Sequence, residues 1–234
     1  MKMIGILGGM GPEATVDFYQ KIIKLCQKKY MAKYDNYPPM VIYNLSIPNV
    51  VAKTIIQGLE DIEKVLPFLL EGIKKLEFVG SDFIVIPCNT AHYFLPYLRK
   101  EVSIPILSII EETVKKVRDK NYKKVGLLAT KTTIKQKLYE VELNKFGISL
   151  VNPDKESQNK IIKIIQNILT GKNTMKDKKK IKSIIKKLEL QGVESIILGC
   201  TELPLIIDKN VFKIELFDAT EILAEATVKK SYKG

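Results

Sequence analysis

The sequence predicts an α/β protein made of two parallel β-sheets that are related by pseudo-twofold symmetry and face one cleft. Short apolar segments alternate with amphipathic helical segments, an order typical of parallel sheets with helical crossovers. The segment at residues 2–9 is repeated, with a matching glycine, at residues 123–130, which indicates diverged repeats. In each repeat a later apolar segment ends in a cysteine, Cys88 in the first and Cys200 in the second.

The first repeat opens with an apolar strand and a glycine-rich loop. Pro12 follows at a position that suits the first turn of a helix, where its missing N–H needs no partner. Pro38 and Pro39 introduce the second strand, and a loop at residues 46–56 leads to the second helix. Strands are predicted at residues 3–7, 40–45 and 82–87, and helices at residues 12–30, 59–78 and 90–102.

Residues 103–105 interrupt the pattern with a proline, and we interpret them as a domain junction. Strands are then predicted at residues 106–109, 124–129, 148–151, 195–198 and 213–217, and helices at residues 111–120, 132–146, 157–169, 175–190 and 220–231. We predict an N-terminal domain of residues 1–104 and 212–234, which includes a returning C-terminal helix, and a second domain of residues 105–211.

The composition predicts a globular protein that does not enter a membrane. Hydrophobic residues make up 46% of the 234 residues, and no apolar run reaches the roughly 20 residues that span a bilayer. The apolar stretch after Met1 is too short for a secretory signal, so a cytoplasmic protein is expected.

The net charge of +12 comes almost entirely from lysine, since Arg99 and Arg118 are the two arginines. Proteins that discriminate nucleic-acid bases rely on bidentate arginine. The densest lysine block, residues 172–187, carries a helical stripe of isoleucines and therefore reads as the solvated face of a helix. We expect no nucleic-acid partner.

The cysteines Cys88 and Cys200 are the candidate catalytic groups. Cys26 lies inside a helical apolar pattern and is expected to be a buried hydrophobe. With His92 as the single histidine, the chain lacks the close ligand pairs of a metal site. Cys88 and Cys200 each stand between a strand and a helix start, where unpaired N–H groups favour a thiolate.

Polar residues next to both cysteines suit an anion site. Asn89, Thr90 and Thr201 can hold a carboxylate together with backbone N–H groups, and they serve equally well as helix caps. A carboxylate held between two thiols permits inversion at Cα: one thiolate removes the proton and the opposite thiol returns one to the other face. Preorganised donors in a closed pocket make a cofactor unnecessary.

Three motifs carry a resemblance to a known family. Residues 5–12, 87–92 and 199–202 resemble the aspartate/glutamate racemase family, and above all its aspartate racemase branch. The resemblance implies two Rossmann-like domains, commonly as a homodimer, and an isomerase that racemises a free amino acid through Cys88 and Cys200 without cofactor. The glutamate racemase branch has Asp-Ser where this chain has Gly8-Gly9, and His where it has Glu202.

The predicted substrate-binding residues come from several loops, and each also has a structural reading. Met10 is a pocket wall or a core side chain, Thr133 is a helix cap, and Glu202 tunes Cys200, binds the substrate ammonium or complements a helix N-terminus. His92 is taken as a structural hydrogen bonder and is left out of the catalytic set. The predicted binding set is Met10, Ser46, Asn89, Thr90, Thr130, Thr133, Thr201 and Glu202.

Two departures from the family pattern bear on the substrate. After Ile47-Pro48 the aspartate racemase branch carries Asp-Arg, whereas this chain has Asn49-Val50. A lysine expected before Gly171 is replaced by Thr170. Because an acidic side chain without cations is costly in a closed pocket, we predict that aspartate is not the best substrate and that neutral amino acids or a broader set are turned over.

Other functions fit parts of the sequence. Residues 9–14 form a variant dinucleotide fingerprint after a strand, but the second strand ends without the acidic residue that holds a ribose. That reading also leaves both thiols unexplained. Isomerisation of maleate, racemisation of hydantoins and decarboxylation of malonates use the same two-domain layout, although single-base decarboxylation needs only one thiol.

Overall fold

The computed structural model describes residues 1–48, 51, 56 and 62–233, and within them the chain forms two parallel four-stranded sheets. The strand orders are β2-β1-β3-β4 and β6-β5-β7-β8, so the second sheet repeats the first. The strands are β1 (Ile4–Gly8), β2 (Met40–Asn44), β3 (Phe83–Val85), β4 (Ile106–Leu107), β5 (Lys124–Ala129), β6 (Ser149–Val151), β7 (Ser195–Gly199) and β8 (Glu215–Asp218). The predicted α/β class with two parallel sheets is confirmed.

Helices connect and cover the strands of both sheets. Five of them are α1 (Pro12–Tyr30), α2 (Leu66–Phe78), α3 (Leu95–Glu101), α4 (Ile109–Asp119) and α5 (Lys131–Lys135). The remaining described α-helices are α6 (Leu138–Asn144), α7 (Lys155–Leu169), α8 (Met175–Glu189) and α9 (Ala219–Tyr232). None of these helices has the length and the apolar character needed to cross a bilayer.

Two strands belong to other sheets than the predicted domain boundaries suggest. β4 pairs with β3 in the first sheet, although it was expected after the junction, and β8 pairs with β7 in the second sheet. The reason is that Pro105 begins an edge strand: its carbonyl accepts a hydrogen bond from the N–H of Ile84 at 2.9 Å, and an edge strand tolerates proline. The division into domains stays a prediction, and these pairings place the end of the first sheet after β4.

The C-terminal helix α9 leaves the second sheet and packs on α1 and α4. The N–H of Lys2 donates to the carbonyl of Ser231 at 3.0 Å, and the Ser231 hydroxyl donates to the carbonyl of Lys2 at 2.7 Å. Tyr30 of α1 stacks on Tyr232 of α9 with ring centroids 3.8 Å apart. The end of the chain is therefore fastened to its beginning.

Two predicted helices are interrupted in the structure. The helix predicted at residues 90–102 is a 3₁₀ turn, Thr90–Phe94, followed by α3. The helix predicted at residues 132–146 is split into α5 and α6 by Lys137, whose φ of 52° is left-handed. Apolar periodicity continues through both interruptions, which is why the sequence did not reveal them.

The apolar core has a shared part and two separate parts. One buried cluster spans both sheets and includes Ile6 and Phe18 of the first half with Leu127 and Tyr139 of the second. Two further clusters lie on the outer faces, one in each half, and each of them contains one of the cysteines that follow β3 and β7. The shared cluster holds the two sheets together and so fixes where their carboxyl ends meet.

Candidate active site

Cys88 and Cys200 lie at the ends of equivalent strands. Cys88 follows β3 after Ile86 and Pro87, and Cys200 directly follows Gly199, the last residue of β7. Both line one cleft of about 650 Å³, although the two residues are only 6% and 4% exposed. Neither forms a disulfide.

The Cys88 thiol is surrounded by apolar residues and backbone N–H groups. Burial raises its pKa to about 12, and the N–H groups of Ala91 and Thr90 oppose that rise only in part. The expected lowering of the thiol pKa at a helix start is therefore outweighed. The five-residue 3₁₀ turn that follows provides fewer aligned peptide dipoles than an α-helix would.

The Cys200 thiol has a carboxylate as its nearest partner. Its Sγ donates to Oε2 of Glu202 at 2.9 Å, and the Thr201 hydroxyl donates to the same oxygen at 3.2 Å. Burial and the negative charge of Glu202 both raise the pKa of Cys200 well above its usual value. Burial also raises the pKa of Glu202, which is 5% exposed. Both resting thiols are thus neutral at physiological pH.

Glu202 connects the two halves of the cleft. A Cβ placed on Gly11 would lie 2.1 Å from its Oε1, and Gly11 has a φ of +105°, so only glycine fits there. Gly11, the second glycine of the variant dinucleotide fingerprint, is therefore needed for the close approach of a buried carboxylate. β2 ends at Asn44, one residue before the predicted end at Leu45, and neither residue is an acidic residue that could hold a ribose.

Three threonine hydroxyls form a triangle across the boundary between the halves. Oγ1 of Thr90 lies 2.9 Å from Oγ1 of Thr130 and 3.0 Å from that of Thr133, which are themselves 3.0 Å apart. Thr130 also caps α5 by accepting the N–H of Thr133 at 3.1 Å. Capping and substrate binding, the two readings of these residues, are compatible at this place.

Asn89 presents a free donor beside Cys88. Its Oδ1 accepts a hydrogen bond from the Tyr139 hydroxyl at 2.6 Å, while its buried Nδ2 has no hydrogen-bond partner among the residues that the structure describes. An amide nitrogen of this kind can donate to a carboxylate oxygen of a ligand.

His92 is buried behind Cys88 and holds the loop in place. The N–H of Ile109 donates to its Nε2 at 3.1 Å, so the proton of the neutral ring is on Nδ1, which donates to the carbonyl of Cys88 at 2.8 Å. Burial lowers the pKa of His92 to about 4. Its contacts are those of the structural hydrogen bonder that the sequence predicted.

The structure gathers most of the predicted binding residues around the cleft. Met10, Asn89, Thr90, Thr130, Thr201 and Glu202 line it. Thr133 is fully buried and reaches the cleft through the hydroxyl triangle. Ser46 is not among the lining residues: its neighbour Leu45 turns into the core and Ser46 faces solvent. Its role stays a prediction.

One wall of the cleft was missed by the sequence reasoning. It is formed by α7 and the loop after it, and the polar lining residues there are Lys163, Gln166, Asn167, Thr170 and Lys172. Residues 163, 166 and 167 are spaced three and four positions apart, which places them on one face of α7. This spacing is the sequence feature from which the polar wall could have been predicted. Apolar lining comes from Ile47, Ile56 and Leu169.

The cleft therefore contains cationic side chains, although Thr170 replaces the lysine that the family pattern predicts. The ammonium groups of Lys163 and Lys172 are exposed, and neither forms an ion pair with another described residue. Asn49 and Val50, which stand where the branch has Asp-Arg, lie outside the described residues. Within the described part of the chain, no three His, Cys, Asp or Glu side chains are placed to hold a metal ion.

The chain is similar to known racemases over nearly its whole length. A family model described as Asp/Glu/Hydantoin racemase matches residues 7–227. The broad specificity amino-acid racemase RacX of Bacillus subtilis (strain 168) is 34% identical over 229 residues, which cover 97% of this chain and 96% of that protein.

Solved structures agree with this assignment. An aspartate racemase homologue from Pyrococcus horikoshii OT3 superposes with a TM-score of 0.81 and 33% identity, covering 99% of this chain and 100% of that one. The aspartate racemase of Picrophilus torridus has a TM-score of 0.81 and 29% identity over 99% of this chain and 95% of its own. Motifs, fold and similarity thus lead to one conclusion: the chain belongs to the Asp/Glu/hydantoin racemase family, as its motifs predicted, and is an isomerase.

Proposed function

We propose that the protein is a cofactor-independent amino acid racemase in which Cys88 and Cys200 exchange the Cα proton on opposite faces of the substrate. The observation that carries this proposal is that two thiols at equivalent strand ends of two repeated sheets line one cleft. Inversion requires an acid and a base on opposite sides of one carbon atom, and pseudo-twofold symmetry supplies such a pair.

The proton balance of the reaction is simple. The thiolate of one cysteine takes the Cα proton and becomes a thiol, while the thiol of the other gives its proton to the opposite face and becomes a thiolate. The C–H bond that breaks and the C–H bond that forms are on the same carbon, so nothing is oxidised or reduced. Exchange of the two cysteine protons with solvent restores the starting state, and this exchange is also the route by which a solvent deuteron reaches Cα.

Substrate binding supplies the charge that activates a thiol. Burial raises the pKa of both thiols. The ammonium group of a bound amino acid brings a positive charge between them, and a nearby positive charge lowers a thiol pKa. We infer that the Nδ2 of Asn89, which has no partner among the described residues, and the threonine hydroxyls bind the substrate carboxylate. The carboxylate of Glu202 accepts a hydrogen bond from Cys200 and keeps that thiol protonated until the substrate binds.

The walls of the cleft support a broad substrate range. Met10, Ile47 and Leu169 provide apolar surface for neutral side chains. Lys163 and Lys172 lie at the exposed wall, where an acidic side chain can reach them but solvent screens the attraction. The relative from Bacillus subtilis is named for broad specificity. We therefore propose that neutral amino acids are turned over at least as well as aspartate.

The experiment that tests the function is deuterium incorporation at Cα. The enzyme is incubated in D₂O without added cofactor, with L- and D-forms of neutral, basic and acidic amino acids, and exchange and inversion are followed by mass spectrometry and chiral chromatography. We expect inversion with incorporation of one solvent deuteron, fastest for neutral side chains. A rate for aspartate far above that of every neutral amino acid would refute the substrate range. Absence of exchange for all amino acids would refute the function.

A homodimer and a cytoplasmic location belong to the same proposal, because the family resemblance implies the first and the composition led us to expect the second. Neither a nucleic acid nor a membrane is needed as a partner, since the cleft presents all the groups that the proposed reaction uses.

A further inference from the structure

Tyr139 is a fully buried residue of the second half that reaches into the cysteine loop of the first. It lies in α6, which begins after the left-handed Lys137, and its hydroxyl donates to Oδ1 of Asn89 at 2.6 Å. The contact with Asn89 crosses from one half to the other next to Cys88.

The hydrogen bond decides which way the Asn89 amide faces. A hydroxyl that donates to Asn89 must meet its oxygen, so the NH₂ group is turned away from Tyr139. That nitrogen is buried and has no partner among the described residues, and Asn89 lines the cleft. An unsatisfied buried donor is unfavourable, so the arrangement is suited to a ligand oxygen that completes it.

The ring of Tyr139 supports the other cysteine loop. A Cβ placed on Gly199 would lie 3.1 Å from Cε2 of Tyr139, so the ring packs closely against the residue before Cys200. One side chain thus contacts both loops, by its hydroxyl at Asn89 and by its ring at Gly199. Phenylalanine would keep the second contact and lose the first.

We propose that Tyr139 is a positioning residue of the racemase: its hydroxyl fixes the Asn89 amide with the NH₂ group toward the cleft, where it receives a carboxylate oxygen of the amino acid. This inference rests on the proposed function and adds a residue that does not itself touch the substrate. Its effect is on binding, because the amide holds the carboxylate before and during proton transfer.

The test is a double-mutant cycle with Tyr139→Phe and Asn89→Ala. Loss of one hydrogen bond that orients a donor is expected to raise KM roughly fivefold and to change kcat little. In the Asn89→Ala background, Tyr139→Phe is expected to have no further effect on KM, because the amide that it orients is absent. Variants too slow for kinetics are compared by calorimetric titration with a racemic mixture, in which no net reaction occurs.

The matched control is Tyr122→Phe. The Tyr122 hydroxyl donates to Oε2 of Glu215 at 2.8 Å, and Tyr122 does not line the cleft, so this change removes a similar bond without affecting KM. Unchanged kinetics of Tyr139→Phe, or an equal loss with and without Asn89, would overturn the inference while leaving the racemase intact. If the wild-type enzyme exchanges the Cα proton of no amino acid, the proposed function is refuted, and this inference is refuted with it.

Discussion

The loops that carry Cys88 and Cys200 occupy the same place in the two repeated sheets, yet the two thiols have different neighbours. Behind Cys88 lie backbone N–H groups and the neutral ring of His92. Cys200 instead donates to the buried carboxylate of Glu202. The residue two places after each cysteine is Thr90 in the first loop and Glu202 in the second.

The difference shows that the repeat fixes where the thiols stand, while the residues after them set their protonation. Equivalent strand ends bring both sulfur atoms to one cleft, which is all that symmetry can do. Because the two thiols are tuned by different groups, each step of a two-base reaction can be altered separately. Mutations in the two loops test whether the two proton-transfer steps can be altered independently.

The largest expected effect comes from Cys88→Ser and Cys200→Ser. Each change removes one proton-transfer group, so we expect racemisation to fall by about a thousandfold or more. Each variant should still exchange the Cα proton of one enantiomer, and the two variants should exchange opposite enantiomers. The measurement is deuterium wash-in from each pure enantiomer.

Cys26→Ala is the control for these variants. Cys26 is buried in α1 and does not line the cleft, so its loss should leave the rate per folded molecule unchanged. Full racemase turnover in either serine variant would contradict the two-base scheme.

The next effect concerns His92, for which the second loop has Pro204 at the equivalent place. Its folded-state pKa of about 4 lies below the ordinary 6.5, so the unfolded chain binds the extra proton first. The stabilisation from neutral His92 is therefore complete above pH 6.5 and is lost as pH falls toward 4, by about 3 kcal/mol. The measurement is urea unfolding of the wild type and of His92→Asn at several pH values. We expect the free energy of unfolding of the wild type to fall more steeply between pH 6.5 and pH 4 than that of the variant.

His92 is the single histidine of the chain, so no other histidine titrates in this pH range. The difference in pH dependence between wild type and variant is therefore attributed to His92. Asparagine keeps a donor for the Cys88 carbonyl, so the variant should stay active. A folded His92→Asn protein without activity would show that the ring takes part in the reaction.

The smallest effect is expected from Glu202→Gln. The charge of Glu202 raises the pKa of Cys200 and contributes to that of Cys88, so its neutralisation should lower both. If a thiolate is the base, the acid limb of the profile of kcat/KM against pH should move to lower pH. Glu194→Gln, at the far end of β7 from Cys200, serves as the control. If the profile of kcat/KM against pH is unchanged in Glu202→Gln, Glu202 does not influence the protonation of the reacting thiols.

Much of the fold was accessible from sequence because it depends on local pattern. Alternation of apolar strands and amphipathic helices predicted the parallel sheets, and the repeat with its two cysteines predicted the shared cleft. The left-handed Lys137 and the sheet membership of β4 and β8 were not predicted, since backbone conformation and strand pairing depend on distant partners.

The sequence by itself determined the class of fold, the family and the two candidate thiols, because strand periodicity and short motifs are properties of neighbouring residues. The tertiary structure alone decided that both thiols are neutral at rest, that Lys163 and Lys172 reach the cleft, and that Tyr139 holds Asn89. Burial and contacts between residues far apart in the chain produce these properties, and no segment of sequence contains them.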